Sequence, residues 1–171
     1  MVGEHEMIPP KGGATVRFYR IGHGDCFLIA FDQKKSVPFF VLIDCGCKNG
    51  SNNKPEFFNP PRERSDIARH IMATTKGKID LAILTHEHDD HLNGIDEDNF
   101  NGLQIDELWL AWTEDDADEV ARELSHKKKQ DLDTLKKASK LRAAALGASG
   151  DAANAQLADL FSMEAGMPLK D

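Results

Sequence analysis

Through the first two thirds of the chain, apolar and polar positions change places every few residues, in short runs bounded by turn-forming residues. Ala14 to Ile21 (ATVRFYRI) sets Val16, Phe18 and Ile21 in loose alternation and predicts a strand. Gly22-His23-Gly24-Asp25 is a turn signal, and Cys26 to Phe31 (CFLIAF) predicts the returning strand of a hairpin. A polar turn, Asp32 to Ser36, leads to Phe39 to Ile43, whose unbroken apolar run fits a strand covered on both faces. Asp44 to Pro61 is rich in Gly, Asn and Pro and predicts a loop.

Ile67 and Ile71 then stand four apart, as on the buried face of a short helix capped by Ser65 and running to Thr74. Lys76-Gly77-Lys78 closes it. Ile79 to Leu84 predicts a strand that leads straight into THEHDDH, and Leu103 to Trp112 predicts one more after an acidic loop. From Thr113 the rhythm turns helical. Thr113-Glu114-Asp115-Asp116 resembles a capping box with Asp at the fourth position. Val120, Leu124, Leu132, Leu135 and Leu141 fall on roughly one face, while Lys127-Lys128-Lys129 and Lys136-Lys137 lie mostly on the other, a solvated one. Gly147 to Gly150 breaks this helix, and an Ala-rich one is expected from Asp151 to Met163. Three segments result: a flexible lead-in over 1–13, a strand-rich segment over 14–112, and a helical segment over 113–171.

Composition narrows the class. A chain of 171 residues supports one core rather than two. Its net charge of −8 argues mildly against binding nucleic acid by bulk electrostatics, although bound divalent cations would offset acidity at one place. The opening MVGEHEMIPP has two glutamates and no apolar stretch of the kind a secretory signal needs, and the apolar run ending at Ile43 is far too short to span a bilayer. Cys26, Cys45 and Cys47 are odd in number and show no CxxC spacing, which excludes a disulfide framework or zinc knuckle. A cytoplasmic protein without membrane association is expected.

The chemistry concentrates in Thr85 to His91. His86 and His88 are two apart where a strand leaves its sheet, so extended backbone points both imidazoles the same way. Asp90 and His91 follow across a turn and face the same pocket from the other side. Neutral imidazoles with a carboxylate suit zinc, with manganese or iron as substitutes.

THEHDDH fits the HxHxDH signature and resembles the metallo-β-lactamase superfamily in its setting, with a strand, a ligand loop and a helix opening near Leu92-Asn93-Gly94. Val41-Leu42-Ile43-Asp44-Cys45-Gly46 looks like that family's first motif, a strand ending in Asp-x-Gly. Ile21 to Ile29 is similar to the opening hairpin of the branch that includes the ComEC-type competence domains. The resemblance covers Thr15 to Trp112, making 14–112 a half domain of that type. It implies that His86 and His88 ligate a first metal and that Asp90 and His91 ligate a second. Asp90 would serve as the catalytic carboxylate as well, and Asp44 would orient a ligand histidine from outside the ligand set. Two zinc ions would hold a bridging hydroxide for attack on an acyl or phosphoryl centre.

The pattern then stops. The family supplies a further histidine, a bridging aspartate and a last histidine downstream, whereas here the histidine that follows His91 is His126, in a lysine-flanked helical setting that reads as surface. Asp131, Asp133, Asp151 and Asp159 also fall on predicted helices. Three explanations stand: a portion of a longer enzyme, which is favoured; a subunit whose missing ligands come from a partner chain; or a reduced relative that binds metal weakly or not at all in this chain alone. His23 reads as a turn residue, His5 and His70 as surface, Cys45 and Cys47 as small residues near a strand end. Trp109 and Trp112 read as strand packing, or as an interface patch if the second half of the sandwich is absent.

The expected fold is α/β, the first half of an αββα sandwich followed by C-terminal helices. The expected function is metal-dependent hydrolysis, tilted by the ComEC-like opening toward phosphodiesters, nucleic acid included. The alternative is a non-catalytic half domain or subunit that acts as a protein-interaction module.

Overall fold

The computed structural model describes residues 6–48, 51, 63–96 and 98–146. It is a mixed α/β chain that divides into two compact units, Met1–Trp109 and Leu110–Asp171. Among the described residues five strands, β1 (Ala14–Phe18), β2 (Cys26–Phe31), β3 (Phe39–Cys45), β4 (Lys78–Leu84) and β5 (Gln104–Leu110), form one sheet in that order. The expected strands are therefore present, although β1 ends before Ile21 and β3 extends two residues beyond Ile43. No helix among the described residues is long and apolar enough to cross a membrane.

β1, β2 and β3 are antiparallel neighbours, while β3 and β4 run parallel. A parallel pair needs a crossover, and α1 (Arg64–Thr75) supplies it. Its start differs from expectation: Glu63 takes the cap position rather than Ser65, and its N–H donates to the Asp66 carboxylate at 3.4 Å. Lys76 in the left-handed region (φ 57) ends the helix, and the Gly77 N–H donates to the Met72 carbonyl at 3.0 Å.

The register gives the sheet two unlike faces. On one, Leu28 pairs with Leu42 and Ala30 with Phe40, and Leu42 lies beside Ala82. These residues are buried in a core with Ile67, Ala68 and Ile71 of α1. At the margin of this face, Arg17 donates to the Thr74 hydroxyl at 3.2 Å. On the other face the rows read Phe18, Phe27, Ile43, Ile83 and Val16, Ile29, Val41, Leu81. Toward β1 this second face is open: Phe18 is 73% exposed, stacked edge-on against Phe27, and Val16, Phe31 and Phe39 are exposed too. The full coverage expected of β3 holds for Val41 but not for Phe39.

β5 departs furthest from its sequence. Every one of its residues is exposed, and the Trp109 indole, 53% exposed, donates to Glu107 rather than packing. In the second unit, Trp112 begins a 3-10 turn (Trp112–Glu114) instead of ending a strand. The long helix α3 (Glu119–Leu146) starts later than the expected box at Thr113, because Asp118 is the residue that caps it, accepting the Ala121 N–H at 2.9 Å. Its apolar positions Val120, Leu124, Leu135 and Leu141 are exposed. The break at Gly147 to Gly150 and the helix expected from Asp151 fall outside the described residues.

Two glycines let the loops at one sheet edge close on each other. Gly24 (φ 149) lies against backbone of Gly46, Cys47 and Asp90, and a Cβ on Gly46 would stand 2.6 Å from the His91 carbonyl carbon and the Leu92 nitrogen. Backbone cannot yield as a side-chain tip can. We expect Gly46→Ala to destabilise the fold by about 1–3 kcal/mol, the usual cost of overpacking. Urea unfolding measures this, and an unchanged midpoint would remove the close approach from the account.

Candidate metal centre

β3 and β4 run parallel, so their carboxyl ends reach the same edge, where open α/β sheets carry ligands. β2 starts at that edge, which brings the turn at residues 22–25 there as well. The ligand motif leaves β4 through Thr85 and enters α2 (Asp89–Leu92), a single turn. The helix thus begins at the ligands rather than after them, and carries Asp90 and His91. Asn93 fastens its end to the neighbouring strand: the amide donates to the Cys47 carbonyl at 2.7 Å, and its oxygen accepts the Cys47 N–H at 2.9 Å.

Asp44 organises the edge. The register passes from the Phe27–Ile43 pair directly to Cys26–Cys45, so Asp44 is an unpaired extra residue, a β-bulge with a left-handed φ of 49. The bulge returns Cys45 to the core face and frees the Asp44 side chain for the loop after β4. Its carboxylate, 2% exposed, accepts the Thr85 N–H at 2.8 Å, the Thr85 hydroxyl at 2.7 Å, and His91 Nδ1–H at 3.0 Å.

These bonds fix two tautomers. A carboxylate only accepts, so His91 carries its proton on Nδ1 and leaves the Nε2 lone pair available. The Thr85 hydroxyl spends its single proton on Asp44. It must therefore accept from His86 Nδ1, 2.9 Å away, and His86 likewise presents Nε2 as a lone pair. Both imidazoles are set as metal ligands are, by a partner on the far nitrogen.

The five expected residues come together. The ring centroid of His86 is 4.5 Å from that of His88 and 3.9 Å from that of His91, and His91 Nε2 is 3.9 Å from Asp90 Oδ1. Asp90 is buried, and among the described residues its Oδ1 is a buried side-chain oxygen with no hydrogen-bond partner. As it stands, no group of three or more His, Cys, Asp or Glu side chains among the described residues is disposed to hold an ion. The donor types and the orphaned oxygen nevertheless fit a divalent cation: an unpartnered buried carboxylate oxygen is costly, and a cation satisfies it. His86, His88, Asp90 and His91 are the residues that would hold it.

Two residues read as turn from the sequence belong here. Asp25 Oδ2 lies 3.7 Å from His91 Nδ1, and His23 Nε2 lies 3.8 Å from Asp90 Oδ2. Thr85 was not anticipated either; its place directly before HxH at a strand end was the available signal. Cys45 and Cys47, read as small residues near a strand end, are both fully buried. His70 is half-buried rather than on the surface, with Nδ1 2.9 Å from the Tyr19 hydroxyl, whose pKa burial pushes up to about 12. His126 lies in the second unit on α3, exposed. His5 lies outside the described residues.

The chain matches no family model, no curated protein and no solved structure. The resemblance to metallo-β-lactamases therefore stands on its residues.

Burial, and then the nearby His91 and His88, lower the pKa of His86 below the ordinary histidine value. An unfolded imidazole titrates near about pH 6.5. Between that value and the lower folded one, the unfolded chain binds the extra proton, so stability is intact above about pH 6.5 and falls as acid is added. The metal-free protein should thus lose stability as the pH falls below about 6.5, and His86→Gln should lose less. Equal losses by denaturant unfolding would contradict the burial of a neutral His86.

Proposed function

We propose that this chain carries the ligand-bearing half of a metal-dependent hydrolase of the metallo-β-lactamase type, the first half of an αββα sandwich, acting in the cytoplasm on phosphodiesters, nucleic acid among them. The observation that carries the reading is Asp90: a buried carboxylate with one oxygen unbonded, beside His91, whose Nε2 lone pair is turned out by Asp44. An uncompensated buried carboxylate costs several kcal/mol, and a cation would remove that cost.

In this reading His86 and His88 hold one ion, Asp90 and His91 hold the other, and Asp44 sets the orientation of His91 directly and of His86 through Thr85. Zinc, with manganese or iron as substitutes, supplies when bound an acidified water and positive charge for a phosphoryl or acyl centre. Asp90 would serve as the catalytic carboxylate, because its unbonded buried oxygen would be free to hold an ion or its water. The ComEC-like hairpin supports phosphodiesters over lactams, thioesters or lactones. A catalytic zinc holds three protein ligands plus water, so each ion needs a ligand beyond these four, and a longer form of the protein or a partner chain could supply those that this chain does not.

Elemental analysis of protein purified without chelator should find one or two zinc, manganese or iron per chain, roughly the two positions the ligand pattern provides. Asp90→Asn and His88→Ala should each empty a position and lower phosphodiester hydrolysis by the completed assembly on the order of 100-fold or more. Undiminished hydrolysis by Asp90→Asn would sink the proposal.

A second reading has its own observation, the open apolar face around Phe18 and Val16. A face of that kind marks an interaction surface, and a non-catalytic half domain would dock its partner chain there. In that case Phe18→Asp abolishes assembly with the partner in sedimentation experiments while Asp90→Asn leaves it intact. The opposite pattern rejects the docking role.

A further inference from the structure

The geometry points to His23 as a further metal ligand, completing with Asp90 and His91 a three-residue set that leaves one coordination position for water; this rests on the metal reading above. Residue 23 sits in the turn between β1 and β2, more than sixty positions ahead of the ligand motif. That turn is seated on the site. The Gly24 backbone lies against the backbone of Gly46 and Asp90 so closely that a side chain at 24 would overlap both.

The backbone of His23 is held at both its polar groups. Its N–H donates to Ser51 Oγ at 2.9 Å, and its carbonyl accepts the Lys48 N–H at 2.6 Å. Ser51 Oγ in turn donates to the Lys48 carbonyl at 2.6 Å. The main chain is thus fixed while the side chain, 67% exposed, keeps rotational freedom at the mouth of the cluster.

The Asp90 carboxylate lies between two imidazole nitrogens. Its Oδ2 is 3.8 Å from His23 Nε2 and its Oδ1 is 3.9 Å from His91 Nε2. Around a tetrahedral zinc with bonds of about 2.0–2.1 Å, neighbouring ligand atoms stand about 3.3 Å apart. The His23–Asp90 separation therefore needs to close by about half an ångström on an ion of that size, which rotation of the exposed His23 ring can provide. As they stand, these side chains do not enclose an ion position. His91 Nε2 is available because Nδ1 is bound to Asp44. A set of two imidazoles and one carboxylate with an open position is the form of a catalytic rather than a structural zinc site. The missing later histidine of the pattern is then replaced, at this ion, from the front of the chain.

The test uses the full chain, stripped of metal and titrated with Zn²⁺ against a chromophoric chelator, and separately with Co²⁺, whose visible spectrum reports coordination. The expected result is a four-coordinate cobalt spectrum for the unaltered chain. His23→Ala and His23→Gln should each weaken zinc binding on the order of 10- to 100-fold and change that spectrum, while the exposed His126→Ala matches the unaltered protein. Far-ultraviolet circular dichroism confirms that the variants fold. If the unaltered chain binds zinc and both His23 variants bind it equally well with the same cobalt spectrum, the role of His23 is overturned and the Asp90–His91 reading survives. If the unaltered chain binds neither ion, the metal reading fails and this inference fails with it.

Discussion

The Asp44 carboxylate is the interaction on which this edge of the protein depends. Three hydrogen bonds converge on one side chain and join the end of β3, the residue after β4 and the helix turn that carries His91. The last two belong to one short stretch, and the first lies 41 positions ahead of it. Burying a carboxylate is unfavourable unless donors satisfy it, so the loop must bring Thr85 and His91 to Asp44 for the fold to close. The same demand sets the protons: donation by His91 and by the Thr85 hydroxyl leaves Nε2 of His91 and of His86 as acceptors. Folding and the setting of these two imidazoles are one event here.

The bulge makes this arrangement reachable. In an unbroken strand, residue 44 would lie on the same face as Leu42 and point into the apolar core with Leu28 and Ala82. The extra residue turns it toward the sheet edge, and aspartate tolerates the left-handed conformation better than most side chains. Close packing then does the rest. Gly24 and Gly46 allow the turn at residues 22–25, the exit of β3 and α2 to meet backbone to backbone, which is how His23 and Asp25 arrive beside residues more than sixty positions later.

Much of this was legible in the sequence. Short apolar runs, alternating or unbroken, and their turn residues located the five strands of the described residues, and the THEHDDH stretch with Asp44 located the cluster, because strand pattern and side-chain chemistry are both local signals. What escaped was non-local. The bulge at Asp44 shows itself only in the register against β2, since Ile43-Asp44-Cys45 reads equally well as the end of a strand. His23 looked like any histidine between two glycines until the turn was seen folded against Asp90. Hydrophobicity overstated the burial of β5: Leu108, Trp109 and Leu110 have the composition of packed positions, yet the sheet offers them no cover among the described residues. Helix starts moved for a related reason, as Glu63 and Asp118 cap as well as Ser65 and Thr113 could, and the chain path decides between them.

Local and global preferences agree over most of the first unit. Apolar residues of β2 and β3 face α1, buried threonines on α1 return their hydroxyls to the carbonyls of His70 and Ile71, and the crossover joins the parallel strands. Disagreement gathers at one edge. Asp44 adopts a left-handed backbone without being glycine, Asp90 buries an oxygen that nothing bonds, and His86 is held neutral among other imidazoles. Each of these costs free energy, and they share neighbours: Asp44 holds His91, His91 lies against Asp90 and His86. Independent imperfections would scatter over the chain. The unbonded oxygen of Asp90 and the crowded imidazoles are costs that one bound cation would relieve together, and that is the physical reason to look for function at this edge before the open apolar face.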